Sequence, residues 1–161
     1  MKISYQIEFL EEWHIGEGGN NSQITCKDCS GYPIIPGDLI KEILKKKIVR
    51  LDRKAAARIF QNYTESEQKL VTSTLSINSN IKKYINETIA STTYCSIKKV
   101  EREDKSIQEV EFVNRETLYG AIFFKNIDEY DTALIEKVLC DICEIGRFDS
   151  RCKVTIIEDK Q

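Results

Sequence analysis

A glycine-rich segment, Trp13–Gly19, and the pair Pro36-Gly37 are the parts of this sequence with the clearest chemical potential. The first reads Trp-His-Ile-Gly-Glu-Gly-Gly and follows an apolar–polar alternation that is typical of a strand. Glycine lets a backbone approach an anionic ligand closely, so such a loop can direct several N–H groups at a phosphate. A helix that begins at Pro36-Gly37 adds unpaired N–H groups and the positive end of its dipole. Together the two segments predict a site for a phosphate backbone.

Two cysteine pairs with C-x-x-C spacing, Cys26/Cys29 and Cys140/Cys143, offer a different chemistry. Four thiolates from two such pairs could hold one tetrahedral zinc ion. The alternative is that the cysteines are reduced and act as small buried apolar residues, since Cys140 and Cys143 fall on an amphipathic helical pattern. We favour the second interpretation because the two pairs are far apart in the sequence, and we therefore expect no cofactor.

The composition is that of a soluble globular protein. The chain has 161 residues, of which 41% are hydrophobic and 31% charged, and its formal charge is −2. This length fits a single domain over residues 1–161. No apolar leader or membrane-spanning run is visible, so we expect a cytoplasmic protein with reduced thiols. The charge excludes a generally basic nucleic-acid binder, and any such binding must come from a local basic face.

Hydrophobic periodicity predicts the elements of the N-terminal half. A strand covers Lys2–Phe9, and a loop leads to a short strand at Gln23–Lys27. A turn at Asp28–Gly31 precedes the helix that begins at Gly37. A short helix at Arg53–Phe60 and a strand at Lys69–Ile77 follow, and Asn78–Thr93 has no clear pattern.

The C-terminal half predicts a hairpin of strands Thr93–Glu101 and Ser106–Val113 and an apolar strand at Thr117–Phe124. A helix capped by Asp131 runs toward Gly146, and Val154–Ile157 is the last strand. This order favours an α+β fold in which helices cover one face of an antiparallel sheet, the ferredoxin-like arrangement.

The chain resembles the RAMP superfamily of CRISPR-associated proteins, and within it the repeating backbone subunits of type III effector complexes. The resemblance rests first on the opening strand running into Trp13–Gly18. It rests next on Gly31–Lys41, which is similar to the family's G-x-P-x-I-P-G helix entry. The strand Thr117–Phe123 and the ending Ser150–Val154 are similar to the family's late strand and closing glycine-rich loop. The resemblance implies a modified RNA-recognition-motif fold.

A subunit of this kind holds guide RNA by its sugar–phosphate backbone beside other effector subunits, and it can self-associate along the guide. Basic side chains could form a local cationic groove with the glycine-loop amides, although each lysine could equally belong to a solvated face. Tyr32 and Phe148 could stack on bases or cover the core. The candidate RNA-binding residues are Gly16, Gly18, Gly19, Lys41, Lys45, Arg147, Arg151 and Lys153.

Two positions depart from the family pattern. Backbone subunits of this type cleave target RNA with an Asp before the second strand, and Ser22 stands at the position that we align with it. A hydroxyl does not readily replace a carboxylate in acid–base or metal-assisted chemistry. The ending Ser150–Val154 also lacks the usual glycines. We therefore expect a protein that binds guide RNA without cleaving it.

Two other functions stay open at this point. A guide-RNA-processing endoribonuclease of the same superfamily needs no metal and could use His14, the one histidine, as a general acid or base. The alternative for His14 is a structural residue at the strand end. A third possibility is an accessory scaffold subunit that binds no RNA.

Overall fold

The computed structural model describes residues 1–16, 23–61, 68–77 and 94–158. The helices and strands of these ranges follow one another as β1 (Lys2–Phe9), α1 (Gly37–Leu51), α2 (Arg53–Ile59), β2 (Leu70–Thr72), β3 (Cys95–Glu101), β4 (Ile107–Val113), β5 (Thr117–Phe124), α3 (Glu129–Cys140), β6 (Glu144–Ile145) and β7 (Ser150–Ile157).

The main sheet has the strand order β2-β5-β1-β7-β6, with antiparallel pairing throughout. Strands β1, β2, β5 and β7, with helices α1 and α3 as crossovers, give the βαββαβ path of the ferredoxin-like fold. The hairpin β3–β4 is inserted between the second and third strands of that path and forms its own two-stranded sheet. The predicted fold class is confirmed.

The core lies between one face of the sheet and the helices. Strand β1 alternates, and its buried side chains are Ile3, Tyr5, Ile7 and Phe9. Helix α1 contributes Ile40, Leu44 and Ile48 at helical spacing, and α3 contributes Ile135, Val138 and Leu139. All of them belong to one apolar cluster, which shows that the helices cover the same face of the sheet.

Most predicted elements are confirmed, among them β1, α1, the hairpin and β5. Gln23–Lys27 is not a strand, since Thr25 and Lys27 form only isolated bridges to Gly16 and Pro33. The prediction for Lys69–Ile77 is too long, because the strand covers Leu70–Thr72 and continues as bridges. Asn78–Thr93 lies outside the described residues.

The predicted boundaries around α3 are wrong. The N-cap is Asp128, whose carboxylate accepts a hydrogen bond from the Asp131 N–H at 2.8 Å. Asp131 is buried and instead holds Arg58 through two hydrogen bonds of 2.7 and 2.9 Å. The helix ends at Cys140, well before Gly146, and the last strand already begins at Ser150. Asp131, which was expected to cap the helix, thus forms an ion pair with a residue that is distant in the sequence.

Gly37 is buried where the first turn of α1 meets the end of β2. A Cβ atom on Gly37 would lie 2.4 Å from the carbonyl oxygen of Thr72 and 2.8 Å from that of Ser73. The Thr72 hydroxyl donates a hydrogen bond of 2.6 Å to the carbonyl oxygen of Gly37. The glycine of the Pro36-Gly37 pair therefore serves the close packing of helix on strand, and protein backbone closes this side of the first turn.

No helix within the described ranges is long and apolar enough to cross a membrane.

We expect Gly37→Ala to lower the free energy of unfolding by about 1–3 kcal/mol, the usual cost of overpacking. Alanine is a better helix former than glycine by ~1 kcal/mol, so helix propensity alone predicts that the substitution raises the free energy of unfolding. Urea unfolding followed by circular dichroism measures the difference. Lys46→Ala, at an exposed position of the same helix, is the control. A Gly37→Ala protein as stable as the parent would contradict the packing argument.

Candidate nucleic-acid interface

The segment Trp13–Gly16 lies against the turn Gly146–Asp149. Gly146 has φ of +96°, and a Cβ atom there would lie 2.6 Å from the carbonyl oxygen of His14. That same oxygen accepts a hydrogen bond of 3.1 Å from the Arg147 N–H. Only glycine combines this backbone conformation with this proximity. The contact therefore fixes Arg147 next to the start of the glycine-rich loop.

Glu111 on β4 holds the two sides of the glycine-rich loop. Its carbonyl oxygen accepts a hydrogen bond of 2.7 Å from Nδ1 of His14, and its N–H donates to the carbonyl oxygen of Gln23 at 2.8 Å. Its carboxylate accepts from the Thr25 N–H at 3.2 Å and pairs with Lys27 Nζ at 2.8 Å. Residues before and after the loop are therefore tied to one strand position.

His14 is fully buried, with 0% of its surface exposed. The ring packs between Phe112 and Phe148, with centroids 6.1 Å from each. The hydrogen bond to the Glu111 carbonyl assigns the proton to Nδ1, which leaves Nε2 as an acceptor inside the core. The geometry is that of a structural residue, and it does not present His14 to a substrate at the surface.

Arg147 belongs to a group of cations and aromatic rings that lies along the β3–β4 hairpin. Its guanidinium carbon lies 4.9 Å from the centroid of Phe148, and the rings of Phe148 and Phe112 are 5.1 Å apart. Lys98 Nζ lies 5.7 Å from the Phe112 ring on β4. Arg147 also donates a hydrogen bond of 3.2 Å to Oε1 of Gln108. Cation–π contacts thus orient a positive charge beside the loop.

The two aromatic side chains considered for base stacking both take part in protein packing. Tyr32 is buried, and its ring centroid lies 5.9 Å from that of Tyr94 in a small apolar cluster. Phe148 is half-buried between His14 and Arg147. Tyr32 therefore packs in a small apolar cluster, and the Phe148 ring makes a cation–π contact with the guanidinium of Arg147.

Arg151 and Lys153 lie on the exposed face of β7 rather than in a closing loop. Arg151 pairs with Glu11, both through its backbone N–H at 2.7 Å and through Nε at 3.4 Å. The backbone hydrogen bond is the main reason why the pKa of Glu11 is lowered. Lys153 stands opposite Glu8 in the β1–β7 register. The prediction of a closing loop at Ser150–Val154 is wrong, because these residues belong to strand β7.

Lys41 and Lys45 belong to a different surface. Both line a groove with Gln68 and Lys69, where Lys41 Nζ donates a hydrogen bond of 2.7 Å to Gln68 Oε1. Arg147 instead lines a groove with Leu39 and Ile43, on another side of the same helix. The structure therefore brings Gly16 and Arg147 together and sets the two lysines apart. Gly18, Gly19 and Ser22 lie outside the described residues.

The two C-x-x-C pairs are not assembled into a zinc site. Cys29, Cys140 and Cys143 are exposed and Cys26 is half-buried. Within the described ranges, no three His, Cys, Asp or Glu side chains lie together in a group that could hold a metal ion. Cys29 instead stands in the turn that follows Asp28, and Cys140 is the last residue of α3. The four thiols that could have ligated one zinc ion are therefore not brought together.

The interpretation of Cys140 and Cys143 as buried apolar residues is also wrong. The buried stripe of α3 is formed by Ile135, Val138 and Leu139, so Cys140 falls on the solvent side of the helix. Cys143 lies beyond the helix end, where the helical spacing no longer applies. The prediction that these thiols are buried thus rests on a helix that was predicted to be too long.

Two other cysteines, Cys95 and Cys152, do have the character of small apolar residues. Cys152 is buried in the main apolar cluster, and Cys95 packs against that cluster from β3. Burial raises the pKa of Cys95 to about 11 and that of Cys152 to about 12, so both thiols stay protonated at neutral pH. Neutral, buried thiols of this kind contribute to packing.

Several residues of this region escaped the sequence argument, namely Lys98, Gln108, Glu111 and Phe112. The available signal was the alternation of β4, which places Gln108, Val110 and Phe112 on one buried face. Nothing local shows which segment that face covers. Besides its strand partner β3, β4 contacts a segment about 100 residues earlier in the chain. Trp13 forms a bridge with Val113, and His14 contacts Glu111.

The fold matches that of chains in solved Cmr-beta and Cmr4 structures. A chain of the type III-B Cmr-beta cryo-EM structure bound to cognate target RNA has a TM-score of 0.66 and 16% identity over 97% of this chain. For a chain of the apo Cmr-beta structure the TM-score is 0.62 and the identity 11% over 99% of this chain. For oligomeric Cmr4 from Pyrococcus furiosus the TM-score is 0.59 and the identity 14% over 100% of this chain. This protein has the fold of these Cmr-beta and Cmr4 chains.

The resemblance read from the sequence is thereby confirmed at the level of the fold. The chain spans 60% of the length of the matched chain in the RNA-bound Cmr-beta structure. It spans 98% of the matched chain in the apo Cmr-beta structure and 100% of Cmr4. Neither a protein-family model nor a curated protein sequence matches it. The likeness therefore lies in the fold and assigns no role to individual residues.

We expect Glu111→Gln to lower the free energy of unfolding by about 1–3 kcal/mol, because hydrogen bonds to charged groups are worth that much. The amide keeps an acceptor for Thr25 and loses the ion pair with Lys27. Glu109→Gln is the matched control, since Glu109 lies two residues away on the same face of β4 and is exposed. Chemical denaturation compares the two. Equal stabilities would show that the Glu111 carboxylate does not help to hold Thr25 and Lys27 in place.

Proposed function

We propose that this chain is an RNA-binding, catalytically inactive backbone subunit of a type III-like CRISPR effector complex. The supporting observation is the fold likeness over 97–100% of the chain to Cmr-beta and Cmr4 chains, one of them from a complex bound to target RNA. In this proposal the ligand is guide RNA, held by its sugar–phosphate backbone. The partners are other effector subunits and further copies along the guide.

The geometry around Gly16 supports an RNA-backbone site. Arg147 is fixed there by the contact of Gly146 with His14, and its charge is oriented on the Phe148 ring. Arg151 and Lys153 follow on the same chain segment with exposed side chains. A guanidinium offers planar donors that match phosphate oxygens, so an arginine that is held in place is suited to this ligand.

The proposed lack of catalysis rests on three side chains. Ser22 stands where the resemblance places a cleaving Asp. His14 is buried among aromatic rings. Asp28, the nearby carboxylate, accepts hydrogen bonds from the N–H groups of Ser30 and Tyr32 at 2.9 and 3.0 Å and so shapes the turn. The contacts of His14 and Asp28 are better explained by structure than by acid–base chemistry.

We expect the purified protein to bind labelled single-stranded guide-like RNA with steep salt dependence and little sequence preference. Arg147→Ala/Arg151→Ala should weaken binding uniformly across sequences and reduce the slope of log K against log salt by about 2, one for each lost phosphate contact. Fluorescence anisotropy at several salt concentrations measures both. Arg50→Ala/Arg53→Ala removes the same charge from the exposed end of α1 and start of α2 and serves as the control.

The same titrations, analysed on gels, test the alternatives. RNA that stays intact with and without magnesium supports the proposal. Metal-independent cleavage lost in His14→Ala would establish a processing nuclease, and magnesium-dependent cleavage lost in Asp28→Asn would establish a target nuclease. A protein that binds no RNA at low salt yet co-purifies with effector subunits is a scaffold, and that result rejects the RNA-binding proposal.

A further inference from the structure

The face of the sheet opposite the helices carries exposed aromatic side chains. On β5, Phe123 is 47% and Tyr119 is 38% exposed, although this strand is flanked by β1 and β2 on its two sides. Val71 on β2 pairs with Phe123 in the register and is also exposed. Large apolar side chains grouped on one exposed surface mark an interaction site. This face, called the open face below, is therefore a candidate for a ligand.

The spacing of the two rings suits a strand of stacked or splayed bases. Tyr119 and Phe123 are four residues apart on one strand, which places them ~14 Å apart on the same face. Ala121, a small and buried residue, lies between them on the strand. The register places Gln6 beside Tyr119 and Ser4 beside Ala121. Small polar groups thus alternate with the rings, where a protein-docking patch would be continuous and apolar.

Cationic side chains surround the open face. Phe123, Val71, Lys69 and Lys125 line one shallow hollow, and among its described lining residues there is no Asp or Glu. Lys2 pairs with Phe123 in the register. Lys153 lies at the other end, opposite Glu8. Aromatic rings flanked by lysines are the combination that proteins use to hold single-stranded nucleic acid, with stacking for bases and ammonium groups for phosphates.

We propose that the open face is a second RNA contact, separate from the turn Gly146–Asp149, where bases stack on Tyr119 and Phe123. Lys2, Lys69 and Lys125 would receive the phosphates. This inference rests on the proposed function, because it assumes that the chain binds RNA. It goes further by assigning base contacts to the sheet, whereas the turn contacts the backbone alone.

Substitutions on the two rings separate stacking from apolar docking. We expect Tyr119→Ala/Phe123→Ala to weaken binding of a short single-stranded RNA by about tenfold or more, since each stacked base contributes several-fold to affinity. Phe123→Leu keeps an apolar side chain and should weaken binding too, whereas Phe123→Tyr keeps the ring and should not. Both rings are exposed, so the variants should fold, which thermal unfolding checks.

A fluorescent reporter provides a direct readout. In Phe123→Trp the introduced indole should be quenched on addition of RNA, because stacking on a base quenches indole emission. The native Trp13 is fully buried and supplies a constant background. Ile97→Trp, at an exposed position of the β3–β4 hairpin, is the control and should not be quenched.

The outcomes distinguish this inference from the proposed function. If the parent protein binds RNA and Arg147→Ala/Arg151→Ala weakens it, but the ring variants and the Phe123→Trp signal do not change, the open face is not an RNA site. If the ring variants abolish self-association in sedimentation and leave RNA affinity intact, the face is a protein interface and the inference fails. Loss of affinity with quenching confined to Phe123→Trp establishes it, whatever the arginine variants do. A parent protein without RNA affinity overturns both.

Discussion

The site depends on one position of the inserted hairpin. Glu111 uses its carbonyl oxygen, its N–H and both carboxylate oxygens to bind His14, Gln23, Thr25 and Lys27. These partners lie on either side of the glycine-rich loop, so the loop begins and ends at fixed points. Backbone hydrogen bonds between segments so distant in sequence are costly in chain entropy. An ion pair whose two side chains are mostly buried helps to offset that cost.

Close backbone contacts explain the role of Gly37, which the sequence placed in a phosphate site, and of Gly146, which it placed at a helix end. At Gly37 and Gly146 the hydrogen atom occupies space that a side chain would need, against carbonyl oxygens of β2 and of His14. The first contact packs α1 on the sheet, and the second places Arg147 next to the loop. Glycines typical of anion-binding loops thus also build the scaffold, and their presence in a sequence does not by itself separate the two roles.

The two faces of the main sheet have different environments. The helical face buries the odd residues of β1 in a continuous apolar cluster. The opposite face keeps Ser4 and Gln6 half-buried and leaves Tyr119 and Phe123 exposed. Since strand side chains alternate between faces, this division follows from the period-2 pattern of β1 and β5. The basic residues predicted to bind RNA are spread over the turn Gly146–Asp149, strand β7 and helix α1.

The sequence by itself determined the elements whose stability is local. The alternation of Lys2–Phe9, the helical spacing of Ile40, Leu44 and Ile48, and the charged turn of the hairpin each predict their structure, because burial on one face dictates the period. Tertiary structure alone decided that Asp131 binds Arg58 instead of capping α3, that Gln23–Lys27 forms bridges and not a strand, and that Lys41 and Arg147 line different grooves. These outcomes depend on partners that lie far away in the chain, and no local pattern encodes which partner a polar side chain will meet.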